Sequence, residues 1–174
     1  MIPFAEYCAC VEHRLQQAWG IRVVTRDIPD PLIADLDGSE IHVDVAVTAE
    51  QRLFLLTHLF GHTAQWNTDP AAFELGRLQT PPVAESLLPA IMAYEREAAC
   101  YGLGLLEEAG ITGVDHWFSD YSAYDMAYLL HYYRTGERLG IAALWRDSTP
   151  LMEPKRATAF TPVKRVFRME GLVI

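Results

Sequence analysis

The chain has 174 residues, of which 51% are hydrophobic and 21% charged, so it is long and apolar enough to bury a sizeable core and is not a disordered or low-complexity protein. Its formal net charge of −9 disfavours nucleic acid as a partner, because phosphate-backbone binding needs a dense cationic surface. No apolar run approaches the roughly 20 residues that cross a bilayer, and no signal peptide is recognisable, so we expect a cytoplasmic protein without a membrane partner.

The N-terminal segment predicts one helix followed by short strands. From Pro3 onwards apolar residues recur at helical spacing until Gly20, a residue type that often follows a helix C-terminus. The segments IRVV (21–24) and PLIADL (31–36) have the composition of strands and are separated by the turn-forming DIPDP. In EIHVDVAV (40–47) apolar and polar residues alternate with the period of a half-buried strand.

Two long helices are predicted next. Thr48 and Gln51 form a capping box, so a helix should begin there and extend to about Trp66. It is apolar nearly all round, which is typical of a helix in the interior of a domain. After an irregular, proline-containing segment, the next helix should begin near Ser86 or Pro89 and end just before Gly110.

A further helix is predicted from about Ser119 to Arg134, with Ser122 and Asp125 as candidate N-terminal caps. One of its faces carries a stripe of aromatic residues, which is more typical of a core than of a cofactor pocket. The stripe consists of Tyr121, Tyr124, Tyr128 and Tyr132.

These elements predict an α+β fold, mainly helical, with a small N-terminal sheet of about three strands packed on the apolar helix. We expect a single domain over residues 1–150 and an extended basic tail over 151–174, where helix-breaking prolines interrupt the pattern. The basic residues of the tail could hold it against the acidic body, or form a homodimer contact. They are Lys155, Arg156, Lys164, Arg165 and Arg168.

The stretch LLTHLFGHTAQW (55–66) places two histidines inside the apolar helix. His58 and His62 are four residues apart, so they lie about 6 Å apart on one face and can bind one ion; alternatively, they are two core residues that share a face. The following helix offers Glu95 and Glu97 as a third ligand. These two are about 200° apart around the helix, so only one faces the histidines, and periodicity does not say which.

The segments GSEIHVDVAVTAEQRLFLLTHLFGHTAQW and YEREAACYGLGLL together resemble the ImmA/IrrE family of metallopeptidase-like proteins, over about residues 12–107. In that family a strand leads into a helix with the motif AHELGH, and a later helix reads roughly E-x-E-A-N-x-F-A. The resemblance implies a zincin-like fold that holds zinc (Zn²⁺) through His58, His62 and Glu97. The chain departs from the family residues at Ala99, Tyr101 and Gly102.

A further departure concerns the chemistry. Leu59 stands where the family has the glutamate of H-E-x-x-H, the general base of the hydrolase. Loss of a positioned acid/base typically costs about 10²–10⁴ in rate, so the resemblance implies weak or lost peptidase activity. His131 and Tyr132 are candidate oxyanion donors, or else ordinary helix residues.

The alternative function is a non-catalytic module that binds a peptide or protein partner on the same scaffold. We expect the strand that contains Ile41, Val43 and Val45 to lie at a sheet edge. An extended peptide could add to such an edge through main-chain hydrogen bonds.

Overall fold

The computed structural model describes residues 2–29, 32–77, 80–138 and 149–165, and it confirms a mainly helical α+β fold. Over these ranges the helices are α1 Phe4–Arg14, α2 Ala49–Thr68, α3 Pro70–Arg77, α4 Leu88–Glu108 and α5 Asp115–Thr135. The strands are β1 Arg22–Arg26, β2 Ala34–Leu36 and β3 Glu40–Asp44. No helix of the described ranges is both long and apolar enough to span a membrane.

The first helix ends as its sequence predicts. After α1 the chain continues through a π-helical stretch, Leu15–Trp19, and stops at Gly20, whose φ of 66° is left-handed. Glycine adopts that conformation without the steric cost that a Cβ would add. The buried side of this segment carries Cys8 and Val11, which pack into the main core.

The three strands form one mixed sheet in the order β1-β3-β2. β1 is parallel to β3, and β2 is antiparallel to it. β3 is therefore the central strand, and the expectation of an open edge at Ile41, Val43 and Val45 is wrong. Ile41 and Val43 are fully buried in the core, whereas Val45 is 63% exposed and follows the end of the strand.

β3 ends earlier than its alternating sequence predicts because Asp44 redirects the backbone. One carboxylate oxygen of Asp44 accepts the backbone N–H of Ala46 at 2.7 Å, and the other accepts that of Ile28 at 2.7 Å. Such side-chain bonds to nearby backbone offer an alternative to the ladder and favour turns. The segment after Asp44 then leads directly to the cap of α2.

Helix α2 is the centre of the molecule. Its capping box is formed as predicted, with Thr48 and Gln51 exchanging side-chain and backbone hydrogen bonds. From Leu53 to Trp66 every residue is buried, because the sheet, α1, α3 and α4 all pack against it.

Helices α2 and α4 approach closely enough for their backbones to touch. A Cβ placed on Gly61 would lie 2.1 Å from the carbonyl oxygen of Ala98, and one on Gly102 would lie 2.8 Å from that of Thr57. Only glycine fits at Gly61, because the obstructing atoms are backbone. This contact sets the position of α4 relative to the histidine face of α2.

Helix α5 begins at Asp115, one turn before the predicted start. Ser122 and Asp125 are therefore interior helix residues and both are buried, so they are not caps. The tyrosine face packs partly into the core, where Tyr121 stacks on Phe54 with ring centroids 4.2 Å apart.

Residues 149–165 contain no helix or strand and lie along the body. The backbone N–H of Lys155 donates to the Cys100 carbonyl at 2.9 Å, and its ammonium pairs with Glu97. Lys164 pairs with Asp37 at 3.2 Å, as charge complementarity between tail and body predicts. Residues 166–174, including Arg168, lie outside the described residues, and a homodimer contact through the tail stays a prediction.

Candidate metal centre

Two imidazoles and one carboxylate converge between α2 and α4. The Nε2 atoms of His58 and His62 are 3.0 Å apart. Oε2 of Glu95 lies 3.0 Å from Nε2 of His62 and 3.3 Å from Nε2 of His58. All three residues are buried, with exposed fractions of 2–4%.

The face of α2 that meets α4 explains this convergence. Gly61, His62 and Gln65 lie three, four and seven residues after His58, so all four share one side of the helix. Gly61 lets α4 come against this side, which brings Glu95 to the imidazoles.

The tautomer of His62 follows from its neighbour Gln65. Both hydrogens of the Gln65 amide are engaged, one by the Tyr94 carbonyl and one by Glu97, each at 2.9 Å. Its amide oxygen faces Nδ1 of His62 at 3.0 Å and can only accept. Nδ1 therefore carries the proton, and Nε2 of neutral His62 directs a lone pair at the centre of the cluster.

His58 differs from His62 in the charged groups that surround its imidazole. Its burial opposes the charged imidazolium, but the hydrogen bond to Glu95 and the charge of Asp125 outweigh this and raise its pKa. Asp125 lies on α5 and is buried, and burial raises the pKa of this carboxyl to about 6 despite the opposing effect of His58. Nδ1 of His58 has no hydrogen-bond partner among the described residues.

Glu95 is held from both sides. Its burial favours the neutral acid, but the two histidines hold its pKa well below the usual range. The hydroxyl of Tyr133, from α5, donates to the second carboxylate oxygen at 3.0 Å. That bond leaves Oε2 as the oxygen that faces the imidazoles. Tyr94 stacks on His62 with ring centroids 4.6 Å apart and covers the cluster on another side.

The arrangement fits a divalent cation. Three acceptor atoms turned towards one another repel unless a positive charge lies among them, either as a proton or as a metal ion. In a tetrahedral site with metal–ligand distances of about 2.0–2.1 Å, neighbouring ligand atoms are about 3.3 Å apart. The three separations here, 3.0, 3.0 and 3.3 Å, are close to that value. The group can therefore hold a metal ion.

The third member of the cluster is Glu95, and the expectation that Glu97 fills this place is not met. The Glu97 carboxylate points to Lys155 of the tail and to Gln65, and its side chain is 40% exposed. Glu95 instead lies on the buried stripe of α4 with Ile91 and Ala98. The rotation of about 200° between the two glutamates separates these environments.

The other residues singled out by the sequence do not contribute side chains to the cluster. Leu59 is 0% exposed and belongs to the hydrophobic core. His131 contacts Thr135 of its own helix at 3.3 Å, and Tyr132 stacks on Tyr128. It is the next residue, Tyr133, that reaches Glu95.

Three residues around the cluster are absent from the sequence-based site. Gln65 could have been identified from the sequence, because it is a polar residue on the same face of an apolar helix as the two histidines. The sequence does not indicate the roles of Asp125 and Tyr133, since these depend on how α5 is rotated against α2 and α4.

We expect Tyr133→Phe to weaken zinc binding by about 10- to 100-fold without unfolding the protein, because it removes the hydrogen bond that orients Glu95. Competition with a chromophoric chelator measures this affinity. Tyr132→Phe is the matched control and should leave it unchanged. Equal affinities in both variants would show that Tyr133 does not orient the carboxylate.

The geometry gives His58, His62 and Glu95 as the one group of three such side chains among the described residues whose ligand atoms can share an ion. Comparison of the chain with protein-family models, with curated proteins and with solved structures gives no match.

Proposed function

We propose that this chain is a zinc-binding, metallopeptidase-like protein of the ImmA/IrrE type whose peptidase activity is weak or lost. The observation that carries the proposal is the convergence of His58, His62 and Glu95 at 3.0–3.3 Å with an aliphatic residue, Leu59, beside the first histidine.

The donor set favours zinc. Two imidazole nitrogens and one carboxylate are the ligands of the His₂Glu class of zinc sites, in which a fourth position stays open. A Zn²⁺ ion held there would supply Lewis acidity, which polarises a carbonyl group. The chain itself supplies the two features that such sites share: a fixed His62 tautomer, set by Gln65, and an oriented carboxylate, set by Tyr133.

The loss of activity follows from position 59. Hydrolysis of an amide needs a group that takes a proton from water and passes it to the leaving amine, and a leucine side chain neither accepts nor donates protons. Leu59 also packs in the core, so its side chain contributes to stability in place of catalysis. Each of the three carboxylates in the segment that links α2 and α4 has another partner. Asp69 caps α3, Glu74 pairs with Arg77, and Glu85 pairs with Arg134.

The alternative, a non-catalytic module that binds a peptide or protein, is favoured by the same missing base. Its expected mode of binding changes, because both edges of β3 are paired. Strand addition would have to use the outer edge of β1 or β2.

The experiment that tests the proposal measures metal content and hydrolysis on the same preparations. We expect about one zinc per chain by elemental analysis of the wild type and none in His62→Ala. We also expect any chelator-sensitive cleavage of fluorescent casein by the zinc-loaded wild type to be at least about 100-fold slower than that by a zinc peptidase that has the glutamate. A wild type without stoichiometric metal would contradict the zinc site. Cleavage as fast as that of the reference peptidase, and abolished both by chelator and by His62→Ala, would contradict the weak or lost activity.

A further inference from the structure

A pocket of about 490 Å³ lies between α4, α5 and residues 149–152, which form the start of the tail in the structure. None of its lining residues belongs to the His58–His62–Glu95 cluster. Its size is within the range of about 300–1,000 Å³ that is typical of small-molecule sites. The lining residues are Arg96, Ser119, Ser122, Ala123, Met126, Ala127, Thr149, Pro150 and Met152.

The charged group of this pocket is Arg96, next to Glu95 on α4 but turned to the outside. Arg96 is exposed and forms no ion pair within the described residues. Asp120, an acid of α5 near the start of the tail, is engaged by Thr149, whose backbone N–H and hydroxyl donate to it at 2.9 and 2.7 Å. The guanidinium is thus available to an anion, and its planar fork matches a carboxylate.

The polar group of the wall is Ser122, which is 2% exposed. Its hydroxyl has no hydrogen-bond partner among the described residues. Buried hydroxyls are normally paired, and an unpaired one is destabilising, a cost that an acceptor on a bound ligand would remove. Ser119 differs, because its oxygen already accepts the backbone N–H of Met152 at 3.0 Å.

The remaining walls are apolar. Ala123, Met126 and Ala127 come from α5, and Pro150 and Met152 come from the tail. Methionine side chains adapt to ligands of irregular shape, and together these walls favour an aliphatic group.

We propose that this pocket binds a small monocarboxylate with an aliphatic group, the carboxylate against Arg96 and Ser122 and the aliphatic group against Met126 and Met152. The tail completes the site, so residues 149–152 have a binding role besides their packing on the body. The site does not use the metal cluster, and its test is independent of zinc.

The test is isothermal titration of the full chain with two probes, octanoate and N-acetyl-leucine, which present the same chemistry as a free fatty acid and as the end of a peptide. We expect at least one to bind with a Kd below about 1 mM, and its uncharged amide to bind at least tenfold more weakly. Binding of octanoate alone supports a free fatty acid as ligand, and binding of N-acetyl-leucine alone supports a peptide-like carboxylate.

Two variants locate the binding. Arg96→Gln should weaken it by about 10- to 100-fold, because a charge-assisted hydrogen bond is lost. Arg156→Gln, which removes an exposed arginine that does not line the pocket, is the matched control and should have no effect. Ala127→Trp should fill the pocket and abolish binding, with circular dichroism used to check its fold. The proposal is overturned if neither probe binds, if the amides bind equally well, or if Arg96→Gln has the affinity of the wild type.

Discussion

Glu95→Gln is expected to weaken zinc binding by more than about 100-fold, whereas Glu97→Gln leaves it nearly unchanged. Changes to groups that merely support a zinc ligand already cost roughly 10- to 100-fold, so loss of a ligand charge should cost more. Of these two glutamates, only Glu95 places a carboxylate oxygen within 3.3 Å of both imidazoles. Competition with a chromophoric chelator at neutral pH measures both affinities.

The two variants are closely matched, since each replaces a carboxylate by an amide of the same shape on the same helix. Glu97→Gln also weakens the contact with Lys155, so its thermal unfolding serves as a separate readout of the tail. If Glu97→Gln lost zinc and Glu95→Gln kept it, the family-derived assignment would be correct and the geometry described above would be wrong.

Gly61→Ala is expected to destabilise the protein by about 3 kcal/mol, the upper end of the usual cost of overpacking. The added Cβ would lie 2.1 Å from the Ala98 carbonyl oxygen, so α2 and α4 must move apart. In a helix without this contact, the same change would stabilise by about 0.5–1 kcal/mol. The sign of the effect therefore tests the contact, and urea denaturation measures it.

Gly102→Ala is the graded comparison. Its Cβ would lie 2.8 Å from the Thr57 carbonyl oxygen, so we expect a smaller loss of stability than for Gly61→Ala. Gly61→Ala should also lower zinc affinity, because separating the helices draws Glu95 away from the histidines. A stabilised Gly61→Ala variant with normal zinc affinity would contradict this role of the helix contact.

The parts of the fold that depend on local chemistry could be predicted from the sequence. Thr48 and Gln51 identify the start of α2, and Gly20 marks the end of the first helical segment, because caps are decided by a few neighbouring residues. The positions of His58 and His62 on one face follow from helix periodicity alone.

The parts that depend on how elements pack could not be predicted in the same way. The sequence of one strand does not determine which strands pair with it, so EIHVDVAV was compatible both with an edge strand and with the central strand that it forms. Periodicity likewise left Glu95 and Glu97 open, and the family resemblance pointed to Glu97, whereas Glu95 is the one that joins the histidines in the structure. The buried stripe of Ile91, Glu95 and Ala98 carries the better signal, because it is the face that meets α2.

The rotation of α5 about its axis explains the remaining difference between the predicted site residues and those observed around the cluster. Tyr132 and Tyr133 are neighbours in sequence but about 100° apart around the helix, so only one of them reaches Glu95. Asp125, which the sequence offered as a cap, is an interior residue of α5 and lies close enough to His58 for their charges to interact. These placements depend on tertiary packing, which the sequence of α5 alone does not determine.

The proposed zinc site is tested most directly by anomalous diffraction from a crystal of the purified protein. Data collected on both sides of the zinc absorption edge show whether zinc is bound and which atoms bind it. We expect one zinc peak within about 2.0–2.2 Å of Nε2 of His58, Nε2 of His62 and Oε2 of Glu95. A zinc-loaded crystal with no peak between these atoms, or with a peak bound to Glu97, would contradict it.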